Sequence, residues 1–299
     1  MQHPQPLNAF TVDVEDYFQV TGFERHVART DWNSHASRVV ASTRTLLESL
    51  ARVEIRGTFF VLGWVAHRFP SLVREIQAAG HELGSHSYWH RLVYQLSPEE
   101  FRQDLLDSCK AIEDAAGTRP IAYRAPSFSI TSKSLWALEI LAEEGFTIDS
   151  SIFPTRHDRY GIPGARTDIH ELKLDAGSLC EFPPTVSQIG SMRLPAGGGG
   201  YFRLYPWHLS KHLLARVNHA GRPFMFYVHP WEVDPEQPRL SHGSRLSRFR
   251  HYVNLATTER KLSWLLQTFR FGTVSEAVAT WRSSCGGNLQ AIELAAIAG

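Results

Sequence analysis

Apolar positions along this chain follow two alternating patterns: short unbroken runs, and longer stretches spaced for one face of a helix. Ala9 to Val14, Gly57 to Leu62 and Phe146 to Asp149 are runs that predict short buried strands, and Ile121 to Arg124 is strand-like. Ser34 to Val53 predicts a helix, with Val39, Val40, Leu46, Leu47 and Leu50 on one face. Pro70 to Ala79 predicts another, closed by Gly80, and a short strand ending near His86 follows it. Ser97-Pro98-Glu99-Glu100 opens a long helix, because Ser97 can cap it, Pro98 suits its first position and Glu100 completes a capping box. Ser132 to Glu144, Pro206 to Ala220 and Thr257 to Phe269 read as further helices, and Pro223 to Val228 as an apolar strand. From Phe153 to Tyr205 the pattern is irregular, and Gly197 to Gly200 reads as a loop, either mobile over a site or a plain connection.

Repeated β–α units predict an α/β fold on a parallel sheet, open or closed into a barrel. With 299 residues, 43% hydrophobic and 20% charged, the chain can bury a substantial core. Net charge is +1 and no basic or acidic block stands out, so neither a nucleic-acid surface nor a polybasic membrane patch is expected. Cys109, Cys180 and Cys285 are widely spaced and odd in number, which argues against a disulfide framework or a cysteine zinc site. The first residues lack a basic start followed by an apolar run, and no window reaches the length of a membrane span. The expectation is a cytoplasmic protein with no integral membrane segment.

Candidate chemistry centres on His86 and His90. Two imidazoles four residues apart face one side of a helical turn, where a single metal ion can take a nitrogen from each. Other uncommon polar groups fall at predicted strand ends, where βα folds place their chemistry. Asp13, Glu15 and Asp16 close the first strand, Arg124 the fourth and Asp149 the fifth, and His229 ends the apolar strand before Pro230.

Those residues carry a family resemblance. The stretch Thr11 to Asp16, the motif His86-Ser87-Tyr88-Trp89-His90, Arg124-Ala125-Pro126-Ser127 and Tyr227-Val228-His229 resemble, in order, motifs of the polysaccharide deacetylases with the NodB homology fold, carbohydrate esterase family 4. The first motif, with Gly199 to Arg203 and His229 to Glu232, further resembles the subgroup found with bacterial exosortase and exopolysaccharide gene clusters. The resemblance implies a distorted (β/α) barrel spanning 1–282, with a subgroup-specific region from about 200. Residues 283–299, small and weakly periodic, are expected to form a flexible tail.

The implied activity is metal-assisted removal of N-acetyl groups from N-acetylhexosamines of a bacterial polysaccharide or its precursor. By resemblance, His86, His90 and one carboxylate hold a divalent ion, with Zn2+ the default. Asp13 is the general base, Arg124 its orienting partner and His229 the general acid. An oxyanion donor is expected in the backbone near Ser127 or Phe128. Pro126, Ser127, Tyr88 and Trp231 are the expected substrate contacts. Two departures leave questions open. Val14 stands where the family has a second aspartate, so the metal carboxylate is Glu15 if the strand continues, or Asp16 if the chain turns. The family's fourth motif is reduced to Asp149, the only candidate partner for tuning His229. An allantoinase-like C–N hydrolase and a non-catalytic glycan binder are the alternatives.

Overall fold

The computed structural model describes residues 5–157, 159–286, 291–294 and 297. In chain order its elements begin β1 (Asn8–Val14), α1 (Val39–Ala51), β2 (Thr58–Val61), α2 (Gly63–Arg68), α3 (Pro70–Ala78) and β3 (Glu82–Ser85). There follow α4 (Pro98–Ala116), β4 (Ala122–Tyr123), α5 (Trp136–Glu143), β5 (Ile148–Asp149) and two hairpins, β6 (His170–Leu174) with β7 (Gly177–Glu181) and β8 (Val186–Ile189) with β9 (Met192–Pro195). The chain continues through α6 (Gly199–Leu204), α7 (Trp207–His219), β10 (Met225–Val228), α8 (Arg245–Tyr252), α9 (Leu255–Thr268), β11 (Phe271–Gly272), α10 (Val274–Ser284) and β12 (Ile292–Glu293).

The main sheet runs β10-β1-β2-β3-β4-β5-β7-β6-β12, with β11 also paired to β1. Every neighbouring pair is parallel except β6 with β7. This mostly parallel α/β sheet is the expected architecture, and among the described residues no strand pairing joins its two ends. Parallel pairing has a direct consequence for function. The residues that follow β1, β3, β4, β5 and β10 must all emerge along one edge. Strands buried on both faces read as apolar runs, and β1, β2 and β10 are buried along their whole length. Helices cover them with side chains such as Leu46, Leu50, Leu72, Ile76, Leu262 and Leu265, each worth about 1.5–3 kcal/mol of apolar burial.

The capping box at Ser97 forms as expected, with Ser97 Oγ accepting from the Glu100 N–H and Glu100 from the Ser97 N–H. The helix expected from Ser34 starts instead at Val39, after a 3₁₀ turn over Arg29–Ser34. The carboxylate of Asp16 captures the N–H groups of Arg38 and Val39 and fixes that start. The tail expected over 283–299 is corrected where the chain is described. Ser283 and Ser284 finish α10, β12 pairs with β6, Lys173 bonds Glu293 at 2.7 Å, and Ile297 is buried. The three cysteines are free.

Gly197 to Gly200 is not a loose loop. Tyr227 N–H donates to Gly197 O at 2.7 Å, and Gly198 bridges to Tyr227 on β10. Gly198 sits at φ 135°, and a Cβ there would lie 1.9 Å from Tyr227 O. Only glycine permits both the conformation and the contact. Gly198→Ala is expected to cost about 1–3 kcal/mol, read as a fall in unfolding midpoint; an unchanged midpoint would show that the segment is not packed.

Candidate active site and metal centre

The turn after β1 decides which acid enters the site. Glu15 N–H donates to Asp13 O at 3.0 Å, so the strand ends in a tight turn at Val14. The Glu15 carboxylate then meets His90, with Oε2 2.6 Å from Nε2. Glu15, His86 and His90 each offer a ligand atom, all within 4.8 Å of one another, and all three residues are buried. Asp16 points to other work. Its two oxygens accept from Ser37 Oγ and from the N–H groups of Tyr17, Arg38 and Val39. Burial pushes its pKa up to about 6 despite these bonds.

His86 and His90 do not lie on a helix, contrary to the sequence reading. They flank a loop in which Ser87 (φ 68°) and His90 (φ 52°) are left-handed. Asp104 of α4 holds that loop, accepting from Ser87 Oγ at 2.5 Å and from the N–H groups of Tyr88 and Trp89. Gly63 supports it from below, donating to Ser87 O. A Cβ on Gly63 would strike the Tyr88 ring at 2.5 Å. The ring of Tyr88 is therefore packed against α2 and its neighbours, and its visible contacts are structural.

The donor set fits a metal ion. His86 Nδ1 lies 2.8 Å from Arg124 O, a bond that leaves Nε2 as the lone-pair nitrogen. Burial holds the His86 pKa down to about 4, so the ring is neutral as a ligand must be. Burial alone would raise Glu15, but His90, His229 and His86 draw it down to about 2, leaving it ionised. Apart from the His90 contact its Oε2 is buried without a hydrogen-bond partner. Two imidazoles and one carboxylate whose Oε2 meets only His90 make a divalent-cation donor set.

Beside this set lies a second group. Arg124, fully buried, donates from Nη1 to Asp13 Oδ1 at 2.6 Å and to Thr11 Oγ1. Its guanidinium also reaches Ser150 Oγ and sits 4.2 Å from the centre of the Phe60 ring. His229 Nε2 is 3.8 Å from Asp13 Oδ2 and 3.7 Å from Glu15 Oε1. At 17% its side chain is more exposed than those of Asp13, Glu15 or His90, so it marks the open side of the site.

Asp149 is not the partner of His229. It hydrogen-bonds Ser151 and pairs with Glu181 across β5 and β7, behind Arg124. The partner is Glu232, which the sequence reading missed. Its Oε2 lies 3.0 Å from His229 Nδ1 and also accepts the His229 N–H. Arg203 from α6 donates to the other oxygen at 2.7 Å. Burial would depress His229, but Glu232, Glu15 and Asp13 lift its pKa to about 9. The signal was present: an acid three residues after His229 has the spacing of a capping box, which forms here. Trp231 is also drawn in. Its Nε1 donates to Glu15 Oε1, and its ring stacks on His229 and His251 while lining a cavity of about 150 Å³ with Phe23, Ser247 and Arg250. Ser127 is left-handed (φ 51°) behind Pro126, and its hydroxyl meets Thr21 Oγ1 at 2.7 Å. Phe128 N–H is committed to Ala125 O.

The buried acid pair behind Arg124 makes a stability prediction. Burial raises Asp149, and raises Glu181 well above its ordinary 4.5, so the fold keeps protons that the unfolded chain releases. That contribution is present below the unfolded carboxyl range and is lost as pH rises through the folded values. Glu181→Gln keeps an acceptor for Ile152 N–H and is expected to flatten the decline of the unfolding midpoint as pH rises above the ordinary carboxyl range. A slope equal to wild type would contradict the shared proton.

Fold and site together define an α/β protein that gathers a candidate metal-ligand set, the Asp13–Arg124 pair and the His229–Glu232 pair at the carboxyl edge of a mostly parallel sheet. Comparison with known proteins finds relatives over parts of the chain. Residues 33–146 match the polysaccharide deacetylase profile, and residues 150–279 match a domain of unknown function, DUF3473. Over residues 33–146 the chain is thus similar to the polysaccharide deacetylases. It is 31% identical over 157 residues to a peptidoglycan deacetylase-like protein of Gibberella zeae, covering 50% of this chain and 45% of that one. It is 32% identical over 98 residues to a peptidoglycan-N-acetylglucosamine deacetylase of Bacillus cereus, covering 32% and 36%. The chain thus spans less than half the length of these relatives. A crystal structure from Mycobacterium smegmatis, assigned to the polysaccharide deacetylases, superposes with TM-score 0.61 at 20% identity, covering 95% of this chain and 94% of that one. It supports the fold. Among the described residues no helix is long and apolar enough to cross a membrane.

Proposed function

We propose that this protein is a metal-dependent hydrolase that removes N-acetyl groups from N-acetylhexosamine residues of a bacterial polysaccharide, exopolysaccharide or its precursor included. The observation that carries the reading is the placement of Asp13–Arg124 and His229–Glu232 beside the Glu15–His86–His90 set. A divalent ion held by Glu15, His86 and His90, with zinc our choice, supplies Lewis acidity and lowers the pKa of bound water. Asp13, fixed by Arg124, takes the proton of the attacking water. The water oxygen joins the acetyl carbon, the amide C–N bond breaks, and His229 Nε2 gives its proton to the departing nitrogen. Glu232 holds the His229 ring so that Nε2 faces the site. With Phe128 N–H already bonded, the oxyanion donor falls to Ser127 N–H. Trp231 and Pro126 wall the substrate side.

The test is acetate release from N-acetylglucosamine oligomers, matched to new primary amines, set beside a panel of small amides including allantoin. Equal acetate and amine from the oligomers is expected. Hydrolysis confined to the small amides, or glycan binding without acetate, would reject the reading.

A further inference from the structure

The overall charge of +1 conceals one strongly uneven segment. From Gln237 to Thr258 there is no aspartate or glutamate, while Arg239, Arg245, Arg248 and Arg250 supply four positive charges. α8 runs through this segment and carries Leu246 and Phe249, each 55% exposed. Arg245, Arg248, Phe249 and Tyr252 follow the spacing of one helical face. With Arg239 and Leu240 they line an open depression of about 650 Å³. Arg239 lies over the Tyr252 ring, 4.8 Å from its centre. Among the described residues no acidic side chain pairs with Arg245 or Arg248.

The other side of α8 is tied to the active-site wall. Ser247, Arg250 and His251 line the cavity beside Trp231, and Arg203 donates to the carbonyls of Arg250, His251 and Val253. The helix is therefore anchored on one side and presents arginines with two bare apolar side chains on the other. That combination suits neither water nor a purely polar ligand.

We propose that this face of α8 docks on an anionic lipid bilayer. Arginines would meet headgroup phosphates while Leu246 and Phe249 enter the interface, the arrangement that holds short amphipathic helices on membranes. Charge complementarity selects an anionic partner, and the exposed Leu246 and Phe249 select a lipid surface over a soluble acidic glycan, which would leave them in water. Docking there sets the active-site wall about one helix diameter, ~10 Å, from the bilayer. The inference goes beyond the deacetylase reading and does not depend on it, because binding is measured without turnover.

The experiment is co-sedimentation of the full chain with sucrose-loaded vesicles of phosphatidylcholine, with or without phosphatidylglycerol, across a salt series. Binding to the anionic vesicles alone, weakening as salt rises, is expected. An arginine near the surface is worth about fivefold in partitioning, so Arg245→Gln with Arg248→Gln is expected to weaken binding at least about tenfold. Leu246→Ser with Phe249→Ser is expected to weaken it as well. These four side chains are away from the ligand and acid–base residues, so unfolding midpoints near wild type keep any loss assignable to docking. Three results would overturn the proposal: no binding to anionic vesicles, equal binding to neutral ones, or undiminished binding by the arginine variant. Retention on soluble polygalacturonate with vesicles ignored would also overturn it, making an acidic glycan the occupant.

Discussion

Glu15→Gln protein is expected to fold normally yet bind zinc at least about a hundredfold more weakly than wild type. Loss of a group that only orients a metal ligand already costs roughly ten- to a hundredfold in affinity, and Glu15 is placed as a ligand itself, with its carboxylate against His90 and Oε2 otherwise unsatisfied. Asp16→Asn is expected to do the reverse. It leaves zinc affinity near wild type and lowers stability by about 1–2 kcal/mol, because an amide has one acceptor oxygen where the carboxylate has two serving Ser37 and the N–H groups of Tyr17, Arg38 and Val39. Zinc competition with a chromogenic chelator and thermal unfolding, run on both variants, separate the roles. Weak zinc binding by Asp16→Asn beside normal binding by Glu15→Gln would reverse the assignment.

The second large effect concerns His229. Glu232→Gln is expected to cut kcat for acetate release by about a hundredfold, the lower range for a positioned acid or base, with KM little changed. The glutamine can still meet the ring or the backbone N–H, but it cannot offer the charge that Arg203 and His229 share. Arg203→Met should be worse for the fold than for any single chemical step. It strands a buried carboxylate, and breaking such a pair costs about 3–5 kcal/mol. Arg203 also gathers three backbone carbonyls that fix the end of α8. Steady-state kinetics with unfolding curves distinguish the two variants; full activity in Glu232→Gln would remove Glu232 from the account.

Much of this site is legible in the chain because parallel strands do one simple thing. Each apolar run ends at the same edge, so Asp13, His86, Arg124 and His229, written after four different runs, are gathered without further instruction. What lies after a strand end is harder to read, since it depends on local hydrogen bonds with distant partners. The choice between Glu15 and Asp16 turns on whether the chain bends at Val14, and that bend is stabilised by Ser37, Arg38 and Val39, more than twenty residues on. The His86–His90 loop mimics helical spacing but is shaped by Asp104. Arg203 reaches Glu232 only because the four glycines pack against β10 as backbone, whereas their composition suggests a flexible connection. The hairpins β6/β7 and β8/β9 lie in a stretch that reads as irregular, because each strand is short and is held by antiparallel pairing with its neighbour rather than marked by a long apolar run.

In the proposed function, Glu15, His86 and His90 hold one metal ion on which amide hydrolysis depends. The most direct test of that dependence is acetate release from N-acetylglucosamine oligomers by chelator-stripped protein as zinc is added stepwise, with His86→Ala alongside. No activity in the stripped protein is expected, then a linear rise that stops at one zinc per chain, and no recovery in His86→Ala. Full turnover by stripped protein, or equal recovery by His86→Ala, would contradict it.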